Sequence, residues 1–102
     1  MKIDFVRSGG FAGIRLAGSF DTQQLLPEQS AILDKLITDS GFFSLPEDIQ
    51  QTAPGPDRFE FQISISTGQQ SHSIRVNDAV MPDRLRPLVE YLTTLAMSGK
   101  KG

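Results

Sequence analysis

The side chains with chemistry to offer are few. A single histidine, His72, stands between Ser71 and Ser73, Asp78 follows shortly, and the chain holds no cysteine. Serine, histidine and aspartate would make a nucleophile, base and orienter if they met on one surface. The local pattern opposes that meeting. His72, Ile74 and Val76 alternate with Ser71, Ser73 and Arg75, and neighbouring residues of a strand point to opposite faces. His72 therefore shares a face with Ile74 and Val76, away from both flanking serines, and reads as a partly buried structural histidine. As a metal ligand it has no company, because a catalytic zinc is held by several protein ligands and neither a second histidine nor a carboxylate cluster stands nearby. No catalytic residue, metal site or cofactor loop emerges, and we expect a non-enzyme.

The other distinctive stretch runs from Arg7 to Leu16 and holds three glycines, Gly9, Gly10 and Gly13, around one aromatic, Phe11. A phosphate-binding loop is excluded, since that chemistry needs the N-terminus of a following helix. Here Ala12, Ile14, Leu16, Gly18 and Phe20 share one parity against Arg15 and Ser19, which is the period of a half-buried strand. Residues 1–8 and 11–20 thus form a hairpin with the glycines as its turn. Glycine supplies the positive φ that such turns demand.

The elements that position these residues follow in order. Pro27 opens a helix, where its missing N–H costs nothing. Ile32, Leu33, Leu36 and Ile37 make its apolar stripe, and Gly41 stops it. Phe42, Phe43 and Leu45 fold back onto the core. Glu47 to Pro56 is a loop, rich in turn residues from Ala53 to Asp57. Phe59, Phe61, Ile63 and Ile65 then alternate with polar residues, and Thr67 to Gln70 turns the chain into the strand of His72. A last helix starts near Pro82, with Leu85, Leu88, Val89, Leu92 and Leu95 on its apolar face; Pro87 must lie in its first turn or kink it. The order β-β-α-β-β-α predicts an α+β fold, an antiparallel four-stranded sheet with both helices on one face. Arg15, Arg58, Glu60, Gln62, Ser64, Ser73 and Arg75 would make the other face polar.

A chain of 102 residues is read as one domain over 1–97 with a flexible tail over 98–102. The net charge of −2 argues against nucleic acid as a partner. No apolar run approaches the ~20 residues of a membrane span, and Asp4 and Arg7 break any signal-peptide core. The expectation is a cytoplasmic protein with no membrane partner, nonclassical export remaining open.

Several of these pieces together resemble a known family. Met1-Lys2-Ile3-Asp4-Phe5, the turn from Arg7 to Gly13, Gly41-Phe42-Phe43-Ser44-Leu45-Pro46, Asp57-Arg58-Phe59, Ser71 to Val76 and Leu85-Arg86-Pro87-Leu88 are similar in order and spacing to the emfourins. These are small bacterial proteins that inhibit protealysin and related thermolysin-like zinc metallopeptidases. The resemblance implies a protein that blocks such an enzyme's active-site cleft without a covalent bond, and we expect it to be a monomer when free. Thermolysin-like clefts hold a zinc at the bottom and a pocket for a bulky apolar side chain. The narrow, glycine-lined hairpin end has the shape to enter, so Ser8, Gly9, Gly10 and Phe11 are the first candidates, with Phe11 as anchor. Met1, through its amine and carbonyl, is a rival at the zinc. Asp57 and Arg58 are candidate charged contacts at the rim. The alternative is a binding module that holds a protein partner on the polar sheet face or at an open sheet edge.

Overall fold

The alternation in the sequence becomes rows of side chains across a sheet. In the computed structural model, which describes residues 1–9, 15–49, 59–78 and 81–98, the strands are β1 (Lys2–Gly9), β2 (Leu16–Asp21), β3 (Asp48–Ile49), β4 (Phe59–Ser66) and β5 (Ser71–Asn77). They lie in the order β2-β1-β4-β5-β3. β1 is antiparallel to β2 on one side and to β4 on the other, and β4 is antiparallel to β5. The register sets Phe20, Ile3, Ile65 and His72 in one row, and Gly18, Phe5, Ile63 and Ile74 in the next. Ile3, Phe5, Ile63 and Ile65 are completely buried. Removing that apolar surface from water is the main force holding the layers together, on the order of 1.5–3 kcal/mol per large side chain.

Two helices cover this face, α1 (Pro27–Ser40) and α2 (Arg86–Ser98). The α+β class and the helix placement are as the sequence predicts; the sheet gains a fifth strand. β3 runs parallel to β5, pairing Asp48 with Arg75 and Ile49 with Val76, and the Arg75 N–H reaches the Glu47 carbonyl at 2.8 Å. A strand so short, set in a turn-rich stretch, has no alternation by which to be recognised.

α1 starts with Pro27 as its first residue, while the Gln29 side chain accepts a hydrogen bond from the Leu26 N–H at 3.2 Å. It stops at Gly41, whose φ of 65° is left-handed and whose N–H reaches the Thr38 carbonyl. Its inward stripe is narrower than the sequence suggests. Leu33 and Ile37 are buried, but Ile32 is 44% exposed, because it lies about 100° round the helix from Leu33. Phe42 and Phe43 form a single 3-10 turn (Phe42–Ser44), and Phe42 is fully buried.

α2 begins later than the stripe suggests. Pro82 to Leu85 form a separate turn, closed by the Leu85 N–H on the Pro82 carbonyl at 3.0 Å. Pro87 is consequently the second residue of the helix, where no carbonyl waits for its N–H, and no kink is required. Leu85, Leu88, Val89, Leu92 and Leu95 are all buried, as is Ala96. β2 approaches this helix closely at Gly18. A Cβ built there would lie 3.2 Å from that of Ala96 and 2.8 Å from the Phe20 ring. The helix runs through Ser98, the first residue of the expected tail; residues 99–102 lie outside the described residues. No helix among the described residues is long and apolar enough to cross a membrane.

His72 occupies the position that its parity predicts. It is half-buried, packs edge-on against Phe42 at 5.6 Å, and its Nε2 is hydrogen-bonded with the Leu45 carbonyl at 2.6 Å. It ties β5 to the segment that leaves α1, which is a structural role.

Candidate functional site

The two ends of β1 carry the described candidates. At one end Ser8 pairs with Glu60 and Gly9 with Phe59, while Arg7 pairs with Leu16, the first residue of β2. β1 thus ends at Gly9 and β2 begins at Leu16 at the same end of the sheet. Phe59, the first residue after the turn-rich stretch, lies on the other side of Gly9. The Asp78 N–H donates to the Phe59 carbonyl at 3.1 Å, so the end of β5 meets the same place. Gly9 has a φ of 95°, a backbone conformation that L-residues with a Cβ adopt only under strain. Of the candidates for this end, Ser8 and Gly9 are therefore placed together; Gly10, Phe11, Asp57 and Arg58 lie outside the described residues.

Met1 lies at the opposite end of the strand. Its carbonyl accepts the Thr22 N–H at 3.0 Å and the Thr22 hydroxyl at 3.4 Å. Successive strand residues rise ~3.3 Å, so Met1 and Gly9 stand on the order of 26 Å apart. The structure does not bring these candidates together.

The outer face of the sheet is polar, as its sequence predicts, and its groups answer one another. The Ser19 hydroxyl donates to Asp4 Oδ1 at 2.6 Å, the hydroxyls of Ser64 and Ser73 are 2.8 Å apart, and Arg75 Nε lies 3.9 Å from Glu60 Oε2. Arg15 and Gln62 are exposed on it, and Arg58 lies outside the described residues. A depression of about 400 Å³ there is bordered by Glu47, Asp48, Gln62 and Arg75. Exposed pairs of this kind contribute little, about 0–1 kcal/mol each, and among the described residues this face offers no aromatic side chain as an anchor. Among the described residues, no group of three or more metal-ligating side chains comes together.

One side chain at the glycine end was not singled out by sequence reasoning. Arg7 falls in the row of Leu16, Phe61 and Val76, on the core side of the sheet. Its guanidinium lies over the Phe59 ring, 4.6 Å from the centroid, which holds the ends of β1 and β4 together through a cation–π contact. The signal was present in the sequence, for Arg7 has the parity of Ile3 and Phe5.

The model of the Emfourin family matches residues 5–93. That is nearly the whole chain, and the chain belongs to this family, which is known as a family of metallopeptidase inhibitors. No curated protein and no solved structure matches it.

Proposed function

We propose that this member of the Emfourin family inhibits a thermolysin-like zinc metallopeptidase of the protealysin type, and that it fills the enzyme's cleft with the sheet end carrying Ser8 and Gly9. The observation that carries this reading is the register Gly9–Phe59. It brings together, on adjoining strands, the residue that precedes Gly10 and the residue that follows Arg58. A cleft inhibitor gains affinity when its entering segment is held beforehand, since less freedom is lost on binding. β1 supplies such a mount, being paired on both sides from Lys2 to Arg7 and continuing against β4 to Gly9. In this reading Phe11 is the apolar anchor, the backbone from Ser8 to Gly10 follows the cleft, and Asp57 and Arg58 meet its rim. Met1 would touch a different part of the enzyme, since its distance from Gly9 is too great for both to reach one zinc and its carbonyl already accepts two hydrogen bonds.

The test is a titration of a protealysin-like peptidase with the purified protein, read with a short fluorogenic substrate. Activity should fall to completion at one inhibitor per enzyme. Full activity at micromolar excess against several such enzymes would remove the proposal and leave the sheet face, probed by Arg75→Ala and Gln62→Ala, as the surface to examine for protein partners.

A further inference from the structure

A second feature at this end of the molecule lies on the core side of the sheet. A cleft of about 360 Å³ runs between the sheet and α2, floored by Phe61, Met81 and Val89 and bordered by Arg7, Asp78 and Glu90. Its volume is at the small end of ligand pockets, which run from roughly 300 to 1,000 Å³. Two polar atoms on its border, Arg7 Nε and Asp78 Oδ1, are buried and have no hydrogen-bond partner. Buried donors and acceptors are nearly always satisfied, and one left without a partner is destabilising. The obvious remedy, an ion pair between the two, is not made. Phe59 stands between them in the sheet: the Arg7 guanidinium lies over its ring, and the Asp78 N–H is bonded to its carbonyl.

We infer that this cleft binds a small zwitterion with an apolar body, an α-amino acid of the leucine type. A donor of positive charge and an acceptor of negative charge, held apart over an apolar floor, match the carboxylate, ammonium and side chain of such a molecule. Arg7, with Arg86 beside it in the cleft wall, takes the carboxylate. Asp78, with Glu90, takes the ammonium. The side chain lies on Phe61, Met81 and Val89. The border carries as many guanidinium as carboxylate groups, so a ligand of one charge leaves one half of the site unanswered. Nothing in this inference requires a peptidase.

The experiment is an amide and guanidinium NMR titration of the intact protein with L-leucine, and separately with 4-methylvalerate and isoamylamine, each of which lacks one charge. Leucine should produce saturable shifts at Arg7, Phe61, Asp78, Met81 and Val89, and bind at least about tenfold tighter than either single-charge probe, because each probe meets only one of the two charged sides of the cleft. Asp78→Asn and Arg7→Gln, checked for a folded spectrum, should weaken leucine by about the same factor. The comparison of probes on the unaltered protein decides the matter even if both variants fail to fold. Absence of saturation by leucine, equal binding of the three probes, or saturable shifts at another surface would each overturn the inference.

Discussion

The two ends of the sheet differ in how their polar groups are used. At the Met1 end the turns satisfy themselves. The Met1 carbonyl takes two bonds from Thr22, the Gln23 N–H donates to Asp21 Oδ1, and Thr67 Oγ1 accepts from the N–H groups of Gln69 and Gln70. At the Gly9 end the backbone is held at a positive φ, a guanidinium lies over an aromatic ring, and two buried polar atoms have no partner. Folding alone explains the first end, where each turn group gains a local bond. It does not explain the second, where two buried polar atoms stay unsatisfied. A buried polar group without a partner asks for a reason beyond folding, and a site that acts on something else supplies one.

Substitutions at the two ends can break that contrast. Gly9→Ala forces a Cβ into the left-handed region and should destabilise the fold by about 1–3 kcal/mol, measured by urea unfolding, with a loss of inhibition to match. Inhibition retained at full strength by a destabilised variant would show that the shape of this end is not what the enzyme reads. Phe11→Ala should weaken inhibition by more than about 1 kcal/mol at unchanged stability; an inhibition constant equal to that of the parent would remove Phe11 from the interface. At the other end, Thr67→Ala breaks a turn of three hydrogen bonds and should lower stability by about 1 kcal/mol while leaving the titration against a peptidase untouched. Weaker inhibition there would make both ends functional. The smallest effect is expected for Phe59→Leu. It removes the ring under Arg7, a contact of about 0.5–1 kcal/mol, and should raise the dissociation rate from the peptidase by a few-fold at most, seen by surface plasmon resonance.

Much of this fold was legible in the sequence because its strands alternate cleanly. Phe59, Phe61, Ile63 and Ile65 declare their face, but the pairing of their strand with that of Ile3 and Phe5 is long-range and alternation alone does not set it. Gly41 and Pro27 mark the ends of α1 by their backbone restrictions. What was not legible depended on long-range pairing. Asp48 and Ile49 become a strand only because β5 offers a free edge, and nothing in their own types requires it. The start of α2 at Arg86 was hidden because Pro82 and Pro87 both satisfy the rule for a first turn. For the site, parity and glycine content located the hairpin end, and Ser8 and Gly9 stand there. The meeting of Phe59, Asp78 and Arg7 at that end is a tertiary event, spread over three strands, and no local window contains it.

The interior position of β1, between β2 and β4, carries a consequence for how the molecule is made. Its pairing with β2 is local, but its pairing with β4 joins residues between 50 and 64 positions apart. Closing so long a loop is entropically costly and slows folding. On the ribosome, the first hairpin must therefore emerge and wait, with one edge of β1 open and the apolar faces of Ile3 and Phe5 uncovered, until β4 has been synthesised. An open apolar edge is a template for wrong pairing, so the interval between the two strands is the period in which the nascent chain is most exposed to aggregation.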